Sequence, residues 1–245
     1  MADTQYVKVQ FPESVDELTV GQYQRYSSIE EGENNFKTLK AAEIFLGLPL
    51  KQALKMQTTD FYQMTNELFQ MIAQDHKLQP IVNYRGKEYG FIPNLEEMSF
   101  GEYIDLDGFL SDLKDMHKAL GVLYRPITQR VGSKYAIEDY EPNDGYKDFP
   151  LGAGLGATLF LDFKKGAVER YPELFGGERD DTSDLSLQAN FSRKWGWYGA
   201  IDHLSGGDIT KYNLITQQPF QKVFLKMIFD KEKNEVEMRL LKTKG

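Results

Sequence analysis

The sequence predicts an α+β fold, mostly helical, and three observations predict it. A helix-start motif occurs twice in the first half, a short strand–turn–strand pattern precedes its second copy, and two stretches carry apolar residues at helical period. The duplication comes first. Phe11 to Tyr23 matches Ile92 to Tyr103 with one deletion, and the shared kernel stands at Glu17–Tyr23 and Glu97–Tyr103. It reads Glu, apolar, Thr or Ser, apolar, Gly, Gln or Glu, Tyr, and it recurs after about 80 residues.

The kernel is helix-start chemistry. Thr19 with Gln22, and Ser99 with Glu102, have the spacing of a capping box. The hydroxyl accepts from the third helical amide, and that residue's side chain reaches back to the cap amide. Leu18 with Tyr23, and Met98 with Tyr103, have the spacing of a hydrophobic staple. Each copy is expected to follow a strand. Tyr6 to Phe11 alternates, and Ile81–Tyr84 can pair with Glu88–Ile92 across Arg85-Gly86-Lys87. The similarity resumes downstream, where Leu39–Pro49 resembles Met116–Pro126, each read as a helix stopped near a proline. Between the copies, Phe61, Met64, Leu68, Met71 and Ile72 give a helix over about Thr59–Gln74 its apolar face. The strand–turn–capped-helix units are thus expected to fill a duplicated region, residues 1–128.

Residues 129–175 read as a long loop, punctuated by Gly132, Pro142 and Gly145, and then a Gly-rich packing helix from Pro150 to Phe163. Residues 176–190 read as an acidic linker carrying Glu178, Asp180, Asp181 and Asp184, and residues 191–245 as a helical C-terminal segment. There a helix from Trp195 ends at Gly206-Gly207, and a short one covers Asp208–Ile215. Thr216 is the expected cap of a final helix with Pro219 in its first turn. Phe220, Val223, Phe224, Met227 and Ile228 form that helix's apolar face, and Asp230–Lys244 its solvated, charge-alternating end.

Composition removes several functions. With no cysteine there is no disulfide, thiolate nucleophile or zinc ribbon, and a reducing cytoplasmic compartment fits. The first residues lack a signal-peptide pattern, and no apolar run approaches the ~20 residues of a membrane helix. A net charge of -8 without a sizeable Lys/Arg cluster argues against nucleic acid. His76, His117 and His203 have no metal-site spacing and read as structural. Gly152, Gly154 and Gly156 come after a proline rather than a strand, so they read as a packing surface and not a phosphate loop. Asp105 and Asp107 lie inside or just past a capped helix and read as solvated surface. No catalytic residue, metal ligand or cofactor is assigned. Trp195, Trp197 and Tyr198, with Phe220, Phe224 and Met227 on the last helix, are the candidate partner-binding residues, because Trp and Tyr dominate interface anchors.

Phe191 to Tyr198, with Ile201, Leu204, Gly207-Asp208-Ile209 and Lys211 after it and then the helix from Phe220 to Lys233, resembles the C-terminal part of tailed-bacteriophage tail proteins. Leu18 to Tyr23 and Phe149 to Phe163 resemble them too, and the nearest family is that of tail assembly chaperones or related tail and baseplate assembly factors. The resemblance implies a non-enzymatic protein that binds the apolar, helical tape-measure protein and helps tail-tube subunits polymerise around it. It implies residence in the host cytoplasm during assembly, or in the virion, with homo-oligomerisation left open. The alternatives are a virion structural component, such as a tail, connector or capsid-associated subunit, and a metal-dependent enzyme with a dispersed site.

Overall fold

In a computed structural model of the chain, residues 8–30, 34–157, 159–175 and 187–243 are described. In chain order they form α1 (Val20–Ser27), α2 (Asn34–Leu46), α3 (Leu50–Ala53), α4 (Thr58–Ala73), β1 (Ile81–Tyr84), β2 (Lys87–Phe91), α5 (Phe100–Phe109), α6 (Met116–Leu123), β3 (Tyr124–Val131) and β4 (Lys134–Ile137). Then come α7 (Leu151–Gly156), α8 (Leu159–Arg170), α9 (Pro172–Phe175), α10 (Leu187–Ser205), α11 (Tyr212–Thr216) and α12 (Phe220–Thr243). A fold dominated by helix, with one small antiparallel sheet, is the α+β class the sequence predicts.

The chain divides into two compact units that interleave in sequence rather than succeed one another. Unit 1 takes Met1–Pro93 and Gly108–Leu159, and unit 2 takes Asn94–Asp107 and Phe160–Gly245. Each unit therefore holds one copy of the kernel.

Both kernels start helices through capping boxes. In unit 1 the Thr19 amide donates to Gln22 Oε1 (2.8 Å) and the Gln22 amide donates to Thr19 Oγ1 (3.2 Å). In unit 2 the Ser99 amide donates to Glu102 Oε2 (2.7 Å) and the Glu102 amide to Ser99 Oγ (3.2 Å). A 3-10 turn precedes each box, Val15–Glu17 in one and Leu95–Glu97 in the other.

The structure extends the repeat. Each cap residue forms an antiparallel bridge to a proline that opens a later helix, Thr19 to Pro150 and Ser99 to Pro219. The Val20 amide donates to the Phe149 carbonyl (3.0 Å) and the Leu151 amide to the Leu18 carbonyl (2.8 Å). The second copy repeats this pair, Phe100 amide to Gln218 carbonyl (2.8 Å) and Phe220 amide to Met98 carbonyl (3.1 Å). The capped helix-start and the Pro-led helix are one clamp, used once in each unit.

Unit 1 packs Leu18, Phe45, Leu68 and Leu151 into a buried cluster, with Tyr23 and Leu155 against it. Its sheet runs β1-β2-β3-β4, antiparallel throughout. The β1–β2 turn places Arg85 (φ 50) and Gly86 (φ 76) in the left-handed region, as a two-residue hairpin turn of this hand requires. Several expectations change in this unit. Residues 8–11 are irregular rather than strand, while 6 and 7 lie outside the described residues. Instead of entering a loop, α6 runs directly into β3, and β3 and β4 occupy much of the segment read as one; Gly132 is their turn. Pro126 stands in β3 opposite Tyr89.

The glycines of α7 are a packing surface. A Cβ at Gly152 would lie 2.3 Å from Asp16 Oδ1, at Gly154 3.0 Å from Val20 Cγ2, and at Gly156 2.5 Å from the Lys77 carbonyl oxygen. The helix expected to run to Phe163 is two, α7 and α8. Residues 176–186 of the expected linker lie outside the described residues, and 187–190 already belong to α10. Thr216 ends α11, its hydroxyl donating to the Asn213 carbonyl (3.2 Å), and so does not cap α12. None of the helices is long and apolar enough to cross a membrane, among the described residues.

Candidate partner-binding surface

Unit 2 is built around aromatic rings. Clamping places Phe220 at the start of α12, where it stacks on Tyr103 of α5 (ring centroids 5.2 Å apart, planes 12° apart). One turn on, Phe224 lies parallel to Trp197 of α10 (5.9 Å, 7°) and edge-on to Tyr103, Tyr171 and Phe175. Trp197 is fixed by its indole N–H, which donates to Asp107 Oδ2 (2.9 Å), while Lys164 pairs with the other carboxylate oxygen (2.7 Å). Asp107 is therefore a tethered carboxylate rather than bare solvated surface.

These contacts sort the six candidates. Phe220 and Phe224 are 1% and 0% exposed, so they are core and cannot anchor a partner in this fold. Trp197 is half-buried in the same cluster. A helical apolar stripe looks alike whether it covers a core or an interface, which is why sequence periodicity could not separate these roles. Trp195 and Tyr198 do reach the surface, at 41% and 49% exposure, with their rings 5.5 Å apart. Gly196 makes the difference. Its non-helical backbone (φ 44, ψ -122) kinks α10 between the exposed Trp195 and the half-buried Trp197. Tyr198 also meets Tyr212 of α11 edge-on at 5.6 Å. Tyr212 in turn donates to Asp202 Oδ1 (2.5 Å), which pushes its phenol well above its ordinary range.

Met227 is half-buried and lines a groove of about 770 Å³ with Leu174, Ala200, His203, Asn234 and Met238. At its rim, Asp230 pairs with Lys226 and approaches His203 Nε2 (3.6 Å), and Lys226 above all holds its carboxyl below the usual range. Lys231 donates to the Glu173 carbonyl (2.7 Å) and ties α12 to the end of α9.

Beyond Asp230 the sequence predicts only a solvated helix. Every residue from Lys231 to Thr243 is indeed exposed and helical. Yet Val236, Met238, Leu240 and Leu241 stand among those charges, each more than half exposed, as are Leu225 and Phe229 before them. At about 100° per residue, Leu225, Phe229, Val236 and Leu240 fall within one stripe, while Met238 and Leu241 continue the face of Phe220, Val223 and Met227. The signal was present in the sequence but masked by alternating Lys and Glu.

Among the described residues no three His, Asp or Glu side chains are placed to hold a metal ion. His76 bonds to the Ile72 carbonyl, and His117 is buried against Gln24. No family model matches the chain, and no curated protein or solved structure does either.

Proposed function

We propose that this chain is a non-enzymatic bacteriophage tail assembly factor that binds tape-measure or tail-tube protein through the distal part of α12. The observation that supports this reading is the row of exposed Leu225, Phe229, Val236 and Leu240 on a helix whose last core residues are Val223 and Phe224. An isolated helix the length of its exposed end is marginal in water. Large apolar residues kept on it suit a helical, apolar partner that lies along the stripe. Covering what is exposed of one such Leu or Phe is worth about 1 kcal/mol, so several together offset the cost of association. The phage assignment itself rests on the sequence resemblance of the kernel, the Trp195 segment and the last helix.

Co-expression with the tape-measure or tail-tube protein of the same genome tests it. The wild-type chain should be captured with one of them, and a Phe229→Asp/Val236→Asp variant with unchanged circular dichroism should not. Undiminished capture by that variant would remove α12 as the binding surface. A stoichiometric amount of the chain in purified particles would replace the chaperone reading with a structural one.

A further inference from the structure

A second surface lies in unit 1, along the exposed flank of α1. Two recesses of about 570 and 360 Å³ share Arg25 and Ser28 and so adjoin along α1 as the two parts of a groove. Its first part is lined by Arg25, Lys114 and Lys147 together with Asp148, and its second by Ile29, Phe36 and Ile44 together with Lys40 and Glu43, which pair with each other.

The cationic part is assembled from three separate segments, each held to α1. Gln24 Nε2 donates to the Leu113 and Lys114 carbonyls (2.9 Å each), which fixes the turn bearing Lys114 beside the helix. The Gly21 amide donates to the Lys147 carbonyl (2.6 Å), which fixes the third cation. Arg25 projects from α1 itself. None of the three is in a salt bridge among the described residues. The two acids that line the recesses, Asp148 and Glu43, are already engaged, Glu43 by Lys40. Asp148 accepts from Tyr84 and Arg85, and Asp115 pairs with Lys118 (2.7 Å). In a chain of net charge -8, three cations that are unpaired among the described residues face one recess whose lining holds a single carboxylate, Asp148. The neighbouring Phe36 is 48% exposed at the apolar end.

We infer that this groove docks an acidic peptide segment of a partner protein, its carboxylates on Arg25, Lys114 and Lys147 and a large apolar side chain against Phe36, Ile29 and Ile44. A small anion would engage only the cationic recess, whereas a segment with carboxylates followed by a large apolar side chain matches the two adjoining recesses together. The surface is independent of α12, so each can fail without the other.

The test uses the full chain and a fluorescein-labelled octapeptide of aspartates ending in a phenylalanine, read by anisotropy. Wild type should bind, and raising the salt about tenfold should weaken binding. Arg25→Glu/Lys114→Glu, both at exposed positions, should lose at least about tenfold in affinity with an unchanged circular dichroism spectrum. Phe36→Ser should weaken binding severalfold while leaving the salt dependence intact. Absence of binding to wild type, or equal binding by the charge-reversed variant, would overturn the inference. So would equal affinity for an octapeptide without the phenylalanine that inorganic phosphate displaces, which would mark a small-anion site. An asparagine version binding as well as the aspartate one would equally overturn it.

Discussion

The two clamps begin alike and end differently. In unit 1 the residues after the clamping proline are Leu151, Gly152, Ala153, Gly154, Leu155 and Gly156; in unit 2 they are Phe220, Gln221, Lys222, Val223, Phe224 and Leu225. Small residues let α7 sink until backbone and side chains of its neighbours touch it on several sides, and it ends after 6 residues. Large and charged residues keep α12 half out of its core, with one aromatic face in and the other face free, and it runs for 24. The same local start thus yields a buried structural wedge in one unit and an exposed apolar face in the other. The residues after each clamp, rather than the duplicated kernel, decide which Pro-led helix stays exposed.

The largest expected effect separates the two cores. Phe224 is fully buried and meets several aromatic rings, whereas its counterpart Leu155 is only partly buried against the Leu18 cluster. Phe224→Ala should cost about 3–5 kcal/mol and Leu155→Ala about 2 kcal/mol. Both tryptophans lie in unit 2, so their fluorescence reads that unit directly. Denaturant titrations monitored by tryptophan emission and by far-ultraviolet dichroism check this. Equal losses would mean that the aromatic cluster contributes no more than the aliphatic one.

A smaller contrast tests how tightly each clamp closes. A Cβ at Gly21 would lie 2.9 Å from the Lys147 carbonyl oxygen, a backbone atom that cannot swing aside. At Gly101 the nearest atom would be Thr216 Cβ at 3.3 Å. Gly21→Ala should therefore destabilise by about 1–3 kcal/mol through overpacking. Gly101→Ala should be near neutral, because crowding is offset by the better helix propensity of alanine, worth about 0.5–1 kcal/mol. Melting curves of the two variants give the comparison, and equal destabilisation would show that the clamps are equally tight.

The range of each interaction decided whether it was legible in the sequence. The capping boxes join residues three apart, and the Arg85-Gly86 hairpin turn is just as local, so both could be read directly. The clamps join Thr19 to Pro150 and Ser99 to Pro219 through two backbone bonds each, and backbone bonds leave no side-chain signature. β3 was hidden because Gln129 and Arg130 are polar and exposed, on a stretch whose alternation is weak. Of the candidate site, Trp195 and Tyr198 reach the surface, but Phe220 and Phe224 do not, since one periodic stripe serves core and interface equally. The groove along α1 was invisible because Arg25, Lys114 and Lys147 are far apart in sequence and only the Gln24 and Gly21 bonds gather them.

Acid should weaken unit 1 before unit 2. Burial, and then the charges of Lys147 and Lys118, hold the His117 imidazole below its ordinary pKa, while Asp115 opposes them. The folded state therefore favours the neutral ring. His117 contributes its stability fully above the unfolded value of about 6.5, and loses it as pH falls from there through the depressed folded value. Melting by far-ultraviolet dichroism between about pH 7.5 and 5 should fall more steeply for wild type than for His117→Gln. Parallel slopes would remove His117 as the cause. The tryptophan signal of unit 2 should change less over the same range. Its acids with depressed pKa values, Asp208 and Asp230, are held charged by their Thr210 and Lys226 partners and titrate lower.

The smallest effect on stability is the one that most sharpens the contrast between α7 and α12. Val236 is 57% exposed and lies beyond the last core residue of its helix. Val236→Asp should move stability by no more than about 0.5 kcal/mol, as surface substitutions do. Its place in α7 has no equivalent, because that helix has ended and any side chain added at Gly156 meets the Lys77 carbonyl. If Val236→Asp instead cost as much as Gly21→Ala, the distal part of α12 would be packed in solution against another surface of the protein or a second copy. If it is silent in melting but abolishes capture of a tail protein, the apolar residues at the end of α12 are kept for a partner and not for the fold.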